Sequence, residues 1–129
     1  KGLSDKEKFL CFMPNGSSGN FLNYEADNAW GVFEKCNTIK VPVTSIDTIK
    51  DCQKATFIKM DVEGSELSAL MGGYQTIKKN HPKLAICIYH SLEDMVAIIE
   101  YIHKIVPEYK IYVRHHTGNH SETVMYAVI

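Results

Sequence analysis

Residues 84–89 (LAICIY) constrain this chain more than any other stretch, because the run is apolar throughout and lacks the alternation of a strand with one wet face. Such a run reads as a strand covered on both sides, so it belongs at the centre of a sheet. Its neighbours agree. Residues 56–60 form a short β-prone run ending at Asp61, Val62, Glu63 and Gly64, where a helix should start. Leu67, Leu70, Met71, Tyr74 and Ile77 then recur at helical spacing, with Lys78 and Lys79 at the carbonyl end before Pro82. Gly72 and Gly73 weaken that helix by about 1 kcal/mol each relative to Ala, so close packing should require at least one of them. Ser91 and Asp94 make a capping box, and Met95, Ile98, Ile99, Ile102 and Ile105 form a second stripe that stops before Pro107. Residues 109–113 and 123–129 read as two antiparallel strands joined by a polar hairpin segment, 114–122. The order over 56–129 is therefore strand, helix, strand, helix, strand, strand, which is α/β with an antiparallel strand at the end.

The first half is weakly patterned, and residues 1–55 are expected to hold irregular strands and loops. Residues 8–13 are a strand candidate, and 14–28, rich in Gly, Ser and Asn, read as a long loop. Residues 38–44 (TIKVPVT) alternate, but Pro42 cannot donate to a ladder and points to an edge or irregular strand. A short helical turn should follow over 45–52.

At 129 residues the chain is read as a single domain, long enough for a core without disulfides or a structural metal. Its 14 Lys and Arg against 15 Asp and Glu, with Arg114 the only arginine, leave no basic footprint for nucleic acid. No run approaches the length of a membrane span and no signal-peptide pattern opens the chain, so a cytoplasmic location is expected. Cys11, Cys36, Cys52 and Cys87 are widely spaced and predict neither metal nor redox use, with Cys87 reading as a small buried hydrophobe. His115, His116 and His120 lie in the hairpin segment, and no metal site is expected there.

Ligands of open α/β sheets bind beyond the carboxyl ends of the strands, which directs attention to residues 61–66 and to His90. Alternation puts Lys59 and Asp61 on one side of their strand, where they could share a site. Asp61, Glu63 and Glu66 also lie where carboxylates cap a helix and oppose its dipole. His90 ends an apolar strand, where it would serve either as a general base beside Asp61 or as a hydrogen-bonded structural histidine.

The string FIKMDVEGSE at residues 57–66 resembles the I-K-[IM]-D-V-E-G-[AS]-E segment of FkbM-family methyltransferases. Val43, Thr44, Ser45, Ile46 and Asp47 are similar to that family's approach to the motif, and the likeness extends over residues 38–129. The resemblance implies the C-terminal part of a Rossmann-like class I methyltransferase sheet, with parallel strands, helices and a last strand inserted antiparallel between its neighbours. It implies S-adenosylmethionine as cofactor and a sugar or natural-product hydroxyl as acceptor. Asp61 and His90 would be catalytic, Asp61 and Glu63 would face the cofactor, and Lys59 and Glu66 the acceptor. Glu63 and Glu66 would also fix the turn and helix start. No strand followed by a Gly-rich turn opens the chain, so a fragment inactive alone is expected. The alternative is a non-catalytic α/β interaction module. The strand at 56–60 would then be an open edge, and a homo-oligomer paired through that edge is an expectation of this kind.

Overall fold

The computed structural model describes residues 1–15, 18–25, 39–118 and 121–129. Gly16, Ser17, residues 26–28, Thr38 and His120, on which several of the expectations above fall, lie outside the described residues.

Two sheets form. Strands β5 (Phe57–Met60), β6 (Lys83–Cys87), β7 (Lys110–His115) and β8 (Thr123–Val128) make the second, in the order β5-β6-β8-β7. β5 and β6 are parallel, and β8 lies antiparallel between β6 and β7. β6 is central, as its composition requires. Leu84 and Ile86 pack with Leu70, Ile77, Ile98, Ile102, Met125 and Ala127 in the main core. Ala85 and Cys87 point the other way and are buried with Val124 against Tyr89 and Tyr126.

Helix α3 (Leu92–Ile105) begins as its capping box predicts: Ser91 Oγ accepts the Asp94 N–H at 3.0 Å. Upstream, the single helix expected after β5 is two, α1 (Glu66–Met71) and α2 (Tyr74–Asn80). The break falls at Gly72 and Gly73. A Cβ on Gly72 would stand 2.0 Å from the Ser4 carbonyl oxygen, and the Gly72 carbonyl accepts from Asp47 N at 2.9 Å. Asp47 then caps α2, its two carboxylate oxygens accepting from Gln75 N at 2.9 Å and Thr76 N at 2.8 Å. The break also changes the buried stripe: Ala69, Leu70, Thr76 and Ile77 face inward, and Met71 is exposed.

Residues 1–44 supply the first sheet, of strands β1 (Gly2–Leu3), β2 (Lys8–Asn15), β3 (Ser18–Glu25) and β4 (Ile39–Thr44), in the order β1-β4-β2-β3. This corrects two expectations. Residues 18–25, read as part of a loop, are a strand that pairs with β2 through Asn15 opposite Ser18. Cross-strand pairing overrides the weak β propensity of the Gly, Ser and Asn residues in this strand. β4 is flanked on both sides rather than at an edge. β1 pairs only with Val43 and Thr44, so the missing N–H of Pro42 costs that pairing nothing. Two 3-10 turns, Ile46–Thr48 and Cys52–Lys54, occupy the region expected to hold a helical turn. No helix among the described residues is long and apolar enough to cross a membrane.

Candidate functional site

Because β5 and β6 are parallel and adjacent, with Met60 opposite Ile86, the segments that leave them emerge side by side. Asp61 follows β5 directly and His90 follows β6. The chain then turns sharply through Glu63 and Gly64, at φ of 55° and 88°, which brings Glu66 to the first turn of α1. Gly64 meets the left-handed requirement without strain. Glu63 adopts the same region with a side chain, at a cost of about 1–2 kcal/mol that the surrounding contacts must offset.

Glu66 organises the cluster. Its side chain is 0% exposed. Its Oε1 accepts the Val62 N–H at 2.8 Å, tying the turn to the helix, and lies 3.1 Å from His90 Nδ1. On the other side of the ring, His90 Nε2 is 3.4 Å from Glu63 Oε2 and 3.6 Å from Asp61 Oδ1. The His90 side chain is 12% exposed, Asp61 33% and Glu63 42%, so the site grades from dry at Glu66 to wet at Asp61 and Glu63. The 3.1 Å approach to Nδ1 is short enough for a hydrogen bond but is not aligned as one. Both ring nitrogens and Glu66 Oε2 are therefore buried without a hydrogen-bond partner.

Asp61 also faces a second space. The face of the sheet away from the main core opens as a cavity of about 430 Å³, lined in part by Phe57, Lys59, Asp61, Cys87, Glu122 and Tyr126. Lys59 and Asp61 share this cavity, as alternation predicts, but no ion pair joins them. Tyr89 O–H donates to Asp61 Oδ1 at 3.3 Å, and its ring lies 4.2 Å, centroid to centroid, from that of His90. Burial, then the Asp61 charge, pushes the Tyr89 phenol up to about 12. The same two causes push the Cys87 thiol up to about 12. At neutral pH both groups keep their protons, so Cys87 is no thiolate nucleophile.

The structure thus brings Asp61, Glu63, Glu66 and His90 together, and places Lys59 with Asp61 but apart from the imidazole cluster. Glu66 is fully buried against His90. Tyr89, Cys87, Glu122 and Tyr126 were not expected at the site. For Tyr89 and Cys87 a signal existed, since Ala85, Cys87 and Tyr89 alternate onto the face that carries Lys59. Chemically, the cluster can hold a positive charge against three carboxylates and can take a proton at Nε2 from a group bound beside Asp61.

From residue 3 to residue 117 the chain matches the family model described as the Methyltransferase FkbM domain. Among solved structures it is similar to the crystal structure of Methyltransferase FkbM from Methylobacillus flagellatus KT, with 34% sequence identity and a TM-score of 0.70. The similarity covers 98% of this chain and 27% of that one, so the chain spans about a quarter of the solved protein's length. No curated protein matches the chain.

Proposed function

Since the chain belongs to the FkbM methyltransferase family, we propose that it takes part in S-adenosylmethionine-dependent methylation of a hydroxyl on a sugar or natural product. On this reading it is the part of a longer methyltransferase that carries the acceptor side of the cleft, and it is inactive alone. The observation that carries the proposal is the meeting of Asp61 and His90 beyond the carboxyl ends of two parallel strands, beside an open cavity. The parallel β5–β6 pair and the antiparallel β8 inserted between β6 and β7 support a Rossmann-like class I sheet.

S-adenosylmethionine, when bound, supplies a methyl group on a positively charged sulfonium. The carboxylates of Asp61 and Glu63 suit such a cation, and both are exposed enough to face it. A hydroxyl acceptor gives up its proton as its oxygen is alkylated, and His90 Nε2 is placed to take that proton. Asp61 orients the acceptor, Glu66 holds the ring from behind, and Lys59 contributes an ammonium on the cavity wall. Much of the rate then comes from holding the acceptor in line.

The free thiols Cys11, Cys52 and Cys87 support a reducing, cytoplasmic setting. β5 stands at a sheet edge with Phe57 exposed, which favours pairing with a further strand, from the same protein or a second copy. The family match does not favour a module without catalysis.

The test is methyl transfer to a panel of sugars and hydroxylated natural products by the longest protein that carries this chain, with S-adenosylhomocysteine binding followed by calorimetry. D61N and H90Q should each lower kcat by about 100-fold or more while the product inhibitor still binds. Turnover unchanged in both variants would remove their roles, and a parent that binds no S-adenosylhomocysteine would remove the cofactor reading.

A further inference from the structure

We propose that Asp61, Glu66 and His90 form a binding site for a first-row divalent cation. One donor atom from each residue lies within 4.8 Å of the others. Proximity of acids alone would not suffice, but here a second observation points to a ligand. Glu66 is fully buried, and its Oε2 has no hydrogen-bond partner; the two ring nitrogens of His90 beside it are in the same state. A buried carboxylate oxygen and buried ring nitrogens left without hydrogen bonds cost stability, and an ion bound to Glu66 and to one ring nitrogen of His90 gives each of them a partner.

The donor set selects the ion. Two carboxylates with one imidazole suit Mn²⁺, Fe²⁺, Co²⁺ or Zn²⁺, whereas Ca²⁺ and Mg²⁺ favour oxygen alone. With bonds of about 2.1 Å, donors on opposite sides of an ion stand about 4.2 Å apart. Rotation of Asp61, the exposed member, closes the difference. Glu66 is already oriented by the Val62 N–H on Oε1, and Asp61 by the Tyr89 hydroxyl, as ligands are held in built metal sites. Coordination positions left open on the Asp61 side would face the cavity, where a bound water or hydroxyl loses its proton more readily. Spacing conceals the site, because its third donor comes from the far side of β6.

Metal-stripped protein should be titrated with Mn²⁺ and with Co²⁺, using calorimetry for both and visible absorption for Co²⁺. The expected result is one ion per chain with a Kd in the micromolar range, about −8 kcal/mol. D61N and H90Q should each raise Kd at least about tenfold, a loss of about 1.4 kcal/mol. H103Q, on the exposed face of α3, should leave it unchanged. Thermal melts confirm that each variant is folded, and E66Q, which keeps an acceptor for Val62 N–H, should weaken binding in the same way. No uptake at about 1 mM ion, or a Kd that D61N and H90Q leave unaltered, would overturn the proposal. No methyl donor is present, so this outcome is independent of whether the protein transfers methyl groups.

Discussion

Gly72 and Gly73 are adjacent, but replacing each by Ala should have very different consequences. On Gly72 the new Cβ would lie 2.0 Å from the Ser4 carbonyl oxygen and 3.0 Å from both the Ser4 carbonyl carbon and Ser45 Cβ. Ordinary contact begins near 3.4 Å, so the Ser4 backbone must retreat by more than an ångström. That backbone is held by Ser4 N donating to Thr44 O at 2.9 Å and by Ser4 Oγ against Ser68 Oγ at 3.0 Å. Losing those two bonds costs about 1 kcal/mol each, and forcing atoms into a packed site about 1–3 kcal/mol more. Reduced freedom of the unfolded chain returns about 0.4–1 kcal/mol. G72A should therefore destabilise by about 2–5 kcal/mol. On Gly73 the nearest atom would be Ile46 Cδ1 at 3.1 Å, the mobile end of a side chain. Its φ is −107°, which any residue adopts, so G73A should stay within about 1 kcal/mol of the parent. Urea unfolding followed by circular dichroism resolves the two, because at an m of about 1.5 kcal/mol/M a loss of about 3 kcal/mol moves the midpoint by about 2 M. Equal midpoints for the two variants would refute the claim that the Ser4 backbone dictates glycine at position 72.

Asp47→Ala removes the acceptor of both Gln75 N and Thr76 N and should cost about 1–2 kcal/mol in the same assay, with Asp47→Asn losing less. Tyr109 is buried, donates its hydroxyl to the Pro82 carbonyl, and burial pushes its phenol from 10.0 up to about 12. The folded state holds this proton more tightly than the unfolded chain does, so the stabilisation is complete below pH 10 and is lost as pH rises toward 12. The loss amounts to about 2–3 kcal/mol. Thermal melts of the parent should fall over that window more steeply than those of Y109F, and parallel curves would count against the assignment.

How far each feature could be read ahead of the structure depends on the range of the interaction that decides it. β6, the Ser91 cap and length of α3, and the β7–β8 pair are set by composition, capping and turn chemistry within a few residues, and they were readable in the chain. Asp61 and His90 were readable as residues just beyond the carboxyl ends of two strands, where ligands of such sheets bind. The first sheet was not, because its pairings are remote: Gly2 meets Val43 and Lys8 meets Val43 from the other side. No local pattern at residues 18–25 announces a strand that pairing with β2 stabilises. Likewise the break between α1 and α2 waits on Ser4, far upstream, which excludes a side chain at position 72. The cluster itself is the clearest case. Sequence alone determined which carboxylates and which histidine stand at strand ends. Only tertiary structure decided that Glu66 would be buried behind His90 with an oxygen unpaired, since desolvation is a property of the packed surroundings and not of a residue's place in the chain.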